Sequence, residues 1–172
     1  MTQSHPAPTH PAVARVQAAL AAAGHAQVPQ WLSDGAHTAQ QAADSLGVPL
    51  GAIAKSVVLA TPGGVVLCIT AGDRRVDAAR LPVELGLAGR ADAALVRRHT
   101  GFAIGGVSPL GFAPEPDAAA PTVLIDPSLW RFEQVWAAAG HPRTVFAARP
   151  DELERLSGAQ RCAFTDEPRD DA

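Results

Sequence analysis

Apolar positions recur along this chain with two different periods, and the changes of period mark its elements. After Pro11, a residue suited to a first helical turn, Val13, Val16 and Leu20 fall on one face at helical spacing until Gly24 supplies a stop. Val28 to Leu32 reads as a strand. Thr38, followed three residues later by Gln41, fits a capping box, in which each side chain satisfies the other residue's backbone amide. The helix it opens carries Ala39, Ala42, Ala43 and Leu46 inward and ends at Gly47. Pro49 and Gly51 then make residues 48–52 a tight connection.

From Ile53 the period becomes two. Ile53, Lys55, Val57 and Leu59 share one face of a strand, and Ala54, Ser56 and Val58 share the other. A second β-branched run, Val65 to Ala71, follows Thr61-Pro62-Gly63-Gly64, so the pair predicts a hairpin. The polar turn 72–77 leads to a short helix with Leu81 and Leu85, closed by Gly86. Asp92 caps another helix that ends with Arg97 and Arg98 before Gly101. Residues 102–112 break the periodicity with three glycines and a proline between apolar residues, a shaped loop with exposed backbone amides. A strand at 122–126 ends in Asp126. Leu129, Phe132, Trp136 and Ala139 have helical spacing up to Gly140. A strand at 144–148, a helix at 151–157 and a strand at 162–164 that closes the sheet complete the series. Strands and helices that do not alternate strictly predict an α+β domain with a mixed sheet. It spans residues 12–164, between a disordered lead (1–11) and an acidic tail (165–172).

Composition sharpens this picture at one residue. Of the 14 basic residues in the 172-residue chain, Lys55 is the only lysine. Arginine stays charged and presents a rigid fork, whereas lysine is a compact point charge whose pKa falls on burial. Its structural roles would be edge protection or a snorkelling stem. Its neighbours are apolar on both faces, which instead predicts a central strand and leaves structural and functional roles evenly balanced. Net charge is −3, too low for a large nonspecific nucleic-acid surface, although seven cations against four carboxylates between Gly51 and Gly111 allow a local basic face. The two cysteines lack CxxC spacing and read as buried small hydrophobes. No run approaches the roughly 20 apolar residues of a membrane span, and no signal peptide is readable, so a cytoplasmic protein without membrane association is expected.

The ordered set formed by Ser45-Leu46-Gly47-Val48, Ile53-Ala54-Lys55-Ser56, the loop Gly105-Gly106-Val107-Ser108-Pro109 and Val123-Leu124-Ile125-Asp126 resembles the YbaK/EbsC family, the prolyl-tRNA-synthetase-associated editing domains. The resemblance covers about Val28 to Phe164. It implies a mixed sheet curled into a partial barrel and flanked by helices, and a trans-acting deacylase of mischarged tRNA. The substrate would be of tRNA-Pro type or carry a small amino acid such as Ala, Cys, Ser or Thr. The resemblance makes Lys55 the essential lysine and Ser56 its neighbour in the binding site. Gly105 to Pro109 becomes the substrate loop and Asp126 a pocket acid. In a chain without tyrosine, Trp31 or Phe102 would stand in for pocket aromatics. Arg74, Arg75, Arg97 and Arg98 are candidate tRNA contacts. The implied partners are the 3′ acceptor end of mischarged tRNA and an aminoacyl-tRNA synthetase, with no cofactor and no metal.

An aminoacyl ester is already activated, so the enzyme has mainly to orient it and stabilise the oxyanion. Protonated Lys55 and the Gly105-Gly106 amides are the expected donors. Water, the adjacent ribose hydroxyl or a substrate thiol is the expected attacker, because no Ser-His-Asp, Cys-His or H-E-x-x-H pattern is present. His37, His99 and His141 stand near turns or helix ends, where structural roles are expected. Three alternatives use the same residues: a Schiff-base lysine lyase, a Ser/Lys hydrolase built on Ser56 or Ser108, and a non-catalytic tRNA-binding module.

Overall fold

A computed structural model describes residues 10–33 and 36–166; most of the expected N-terminal lead and of the acidic tail lie outside them. The first helix, α1 (Pro11–Ala22), buries Val13, Val16 and Leu20 as its spacing requires. Strand β1 is only Gln30–Trp31, shorter than the expected 28–32. Helix α2 (Ala39–Leu46) starts in the reciprocal Thr38–Gln41 capping box and ends at Gly47, whose φ of 69° is left-handed. One turn of 3-10 helix, Leu50–Ala52, delivers the chain into β2 (Ile53–Thr61), and β3 (Gly64–Ala71) returns antiparallel to it, with Thr61 opposite Gly64. Helix α3 (Ala93–Thr100) follows its Asp92 cap. Strands β4 (Thr122–Ile125), β5 (Val135–Ala138) and β6 (Thr144–Ala148), helix α4 (Pro150–Ser157) and β7 (Gln160–Arg161) complete the chain.

Three expected elements take other forms. The helical spacing of Leu129, Phe132, Trp136 and Ala139 is coincidental. Asp126 caps a 3-10 turn at Pro127–Arg131, and alternating burial of Val135 and Ala137 makes the next segment a strand. Residues 78–85 form two 3-10 turns, Ala78–Arg80 and Val83–Leu85, because Pro82 interrupts a continuous helix. The last strand lies at 160–161; beyond it Phe164 is buried, and Thr165 makes an isolated bridge to Val76.

The sheet is mixed and open, in the order β1-β6-β5-β2-β3-β4-β7. Pairs β2–β5, β3–β4 and β4–β7 are parallel, and the other three are antiparallel. One face carries the main core, where Val16 and Leu20 of α1 and Leu153 of α4 meet Ala54, Leu67, Ile69, Ile125 and Phe146. The other face carries two smaller clusters. One gathers Leu32, Ala42, Ala43, Ile53 and Val145; the other gathers Leu59, Val66, Cys68, Leu124 and Phe164. Strand β2 contributes to both, through Ile53 at one end and Leu59 at the other. Lys55 lies between them.

Candidate active site

Alternation along β2 predicts that buried and exposed residues take turns, yet Lys55, Ser56 and Val57 are all half-buried in succession. The cause lies in the pairing on one edge of the strand. Toward β3 the ladder is continuous from Ala54 to Thr61. On the other edge, β5 pairs only with Ile53 and Ala54. Pairing resumes where Ala91 N–H donates to the Val58 carbonyl and Ala60 N–H donates to the Gly89 carbonyl, at 3.0 and 2.8 Å. Gly72 N–H donates to the Ile53 carbonyl, so odd-numbered β2 residues bond toward β3 and even-numbered ones toward this interrupted edge. The backbone N–H and C=O of Ser56 therefore face an opening, without a strand partner.

Two cavities meet at that opening, of about 360 and 420 Å³. Lys55, Ser56, Arg90, Gly105 and Val107 line both. The first extends toward Val96 and Ile104; the second extends toward His37, Thr38, Trp136 and Pro142. Among the described residues no Asp or Glu lines either one. Among the described residues, no ion pair or hydrogen bond engages the Lys55 ammonium. Burial, then the nearby charges of Arg90 and Arg75, lower its pKa from the ordinary 10.5, against the opposing pull of Asp73. Asp73 itself is held by Arg131 through two contacts of 2.7 and 3.0 Å, and that bond keeps its carboxyl below the usual range.

The 102–110 loop reaches the site by close backbone packing. A Cβ on Gly106 would stand 2.9 Å from the backbone of His141, and Gly105 has a φ of 92° beside Pro142. Gly106 N–H donates to the Ala103 carbonyl at 3.1 Å, so the expected Gly105-Gly106 pair of amide donors is reduced. The turn consumes that donor. Ser108 is fully buried, and its hydroxyl accepts from Leu110 N–H. Val107 is 5% exposed and forms cavity wall, while Pro109 is buried behind it.

Other expected site residues stand elsewhere. Asp126 is buried as a structural acceptor that receives N–H bonds from Ser128, Phe164 and Thr165 at 2.9, 2.9 and 3.1 Å, and it lines neither cavity. Phe102 lies in the main core under the Arg15 guanidinium. Trp31 packs on His141, with ring centroids 4.8 Å apart. The aromatic residue at the site is Trp136, whose misread helix concealed its pairing with Ile53. Arg98 is bound by Glu115 and Asp117 at 2.9 Å each, Arg74 reaches the Asp166 carbonyl, and Arg97 lines a separate cavity beside His10 and Arg15. Arg75 is close enough to act on Lys55. Of the histidines, His99 contacts the Ala119 carbonyl and His141 accepts from Arg143 N–H, whereas His37 lines the second cavity. Arg90 was legible only as one of the cations in the basic segment. Its place depends on the 88–91 segment pairing with β2.

A family model for the aminoacyl-tRNA editing domain matches residues 33–156. The chain belongs to this family. A curated relative, the uncharacterized protein YwhH of Bacillus subtilis (strain 168), is 36% identical over 122 residues, which are 70% of this chain and 74% of the relative. A structure solved for a candidate trans-editing enzyme for prolyl tRNA synthetase is 35% identical, with a TM-score of 0.82 over 92% of this chain and 99% of that one. A scaffold protein from computational epitope grafting is 33% identical, with a TM-score of 0.83 over 92% of this chain and all of that one. The open mixed sheet flanked by helices is thus the editing-domain fold, and aminoacyl-tRNA deacylation is the activity to which the family points.

Proposed function

We propose that this protein is a free-standing editing hydrolase that removes a misattached amino acid from tRNA, with Lys55 as its catalytic residue. The observation that carries the reading is the placement of the sole lysine, without an ion-pair partner among the described residues, at the interruption of the β2 edge in an editing-domain chain. The ester carbonyl of the 3′-terminal nucleotide enters the opening. The Lys55 ammonium and the Ser56 backbone N–H donate toward the oxygen on which negative charge develops. Water, or a nucleophile within the substrate, adds to the carbonyl carbon. The tetrahedral intermediate collapses with cleavage of the bond to the ribose oxygen, which takes a proton. With water as the attacker, the products are free amino acid and uncharged tRNA.

Ala54, Val57, Val107 and Ala138 give the cavities small apolar walls, which suits a small amino acid such as Ala, Cys, Ser or Thr. Likeness to the candidate trans-editing enzyme supports a substrate of prolyl-tRNA type and action beside the synthetase. Among the described residues no helix is long and apolar enough to cross a membrane. Purified protein offered Ala-, Cys-, Ser- and Thr-charged tRNAs is expected to deacylate at least one faster than buffer alone. If all four decay at the buffer rate, the reading fails.

A further inference from the structure

Several arginines in this protein are neutralised by a carboxylate. Arg98 binds Glu115 and Asp117, Arg131 binds Asp73, and Arg161 binds Glu154. Arg90 differs. Among the described residues no carboxylate pairs with it, and it lines both cavities together with Lys55. Its backbone is fixed by the Leu59–Arg90 bridge and by the bonds that its neighbours Gly89 and Ala91 make to β2. The chain thus anchors a cation at the rim of the opening, and none of the described carboxylates serves as its counterion.

Two cations lining one cavity repel each other. Asp73, which opposes this repulsion at Lys55, is itself engaged by Arg131. An arrangement of this kind is relieved by an anion from outside, and a planar guanidinium matches the paired oxygens of a phosphate better than an ammonium does. We infer that Arg90 is a phosphate-binding residue that grips the 5′-phosphate of the terminal nucleotide while Lys55 addresses the ester on the same nucleotide. The inference rests on the editing reading for the identity of the nucleotide. Division of labour between the two cations places the ester carbonyl by fixing the phosphate on its far side.

The test compares binding of 5′-AMP and adenosine to the full chain and to Arg90→Gln and Arg90→Lys, by calorimetry at fixed low salt. The expected result is tighter binding of 5′-AMP by about tenfold in the native protein, a ratio near one in Arg90→Gln, and partial retention in Arg90→Lys. The ratio should also shrink as salt is raised. A ratio near one in the native protein, or one unchanged by Arg90→Gln, overturns the inference. Arg90 is exposed, so the variants are expected to keep the native melting temperature, which is checked in parallel. The charged-tRNA assay separates the two claims. Phosphate discrimination without deacylation sinks the editing reading and keeps the anion site, whereas deacylation without discrimination does the reverse.

Discussion

Strands β2 and β3 are partners over eight residue pairs, and each carries a side chain capable of chemistry, yet only one of them is reachable. Cys68 of β3 sits opposite Val57, one residue pair along from Ser56, and is fully buried. Burial and the nearby Cys162 push its thiol up to about 12, so no thiolate forms near neutrality. β3 is paired with β2 along one edge and with β4 along much of the other, and its burial is continuous from Val65 onward. β2 loses its second neighbour between Ala54 and Val58, and Lys55 is reachable there. Sheet pairing, more than residue type, separates a reachable side chain from a sealed one in this fold.

The comparison breaks most directly at Lys55. Lys55→Ala is expected to lower kcat/KM for a mischarged tRNA by about 10²- to 10³-fold, with little change in melting temperature. Lys55→Arg should not restore it, because the fork is larger and differently shaped. Comparable activity in the alanine variant would remove the lysine from the mechanism.

On the sealed side the largest effect should fall on stability. Asp126→Ala leaves the N–H groups of Ser128, Phe164 and Thr165 without their acceptor, at a cost of about 2–4 kcal/mol read by urea denaturation. Burial raises the Asp126 pKa, but the hydrogen bonds outweigh it and hold the carboxyl below its ordinary 3.8. Its stabilisation is therefore complete above pH 3.8 and is lost as pH falls through the lower folded-state value. Asp126→Asn should flatten that acid limb.

A smaller effect is expected at the loop. Gly106→Ala forces a Cβ against the His141 backbone, displaces Gly105 and Val107 from the opening, and should reduce kcat/KM about tenfold. An unchanged rate would show that the loop does not set the site's geometry. The smallest effect belongs to Cys68. Native protein should resist a thiol reagent at that residue until unfolded, and labelling at the rate of an exposed cysteine would erase the contrast between the strands.

Much of this was legible in the chain because local signals agreed with one another. The Thr38 capping box, the hairpin and the lone lysine in an apolar strand each have a short-range physical cause. The interruption of β2 has none. It depends on β5, some 80 positions later in the chain, diverging after Ala54, and on residues 88–91 taking its place farther along. Trp136 was hidden by a helical spacing that arises by coincidence, and Arg90 was hidden by its resemblance to other surface arginines. Asp126 was expected in the pocket because the family resemblance implied an acid there. The amides it receives come from residues up to 39 positions away, beyond the reach of sequence pattern.

Lys55 is the sole lysine, so its side chain can be observed alone in protein labelled at lysine carbon ε. Titration of that single resonance, with and without a non-hydrolysable aminoacyl-adenosine, tests whether the open stretch of β2 holds a reachable cation poised for substrate. The account predicts a pKa below 10.5 that rises in Arg90→Gln, together with a clear shift of the resonance on adding the analogue. A pKa at or above 10.5 and a resonance indifferent to the analogue would contradict it.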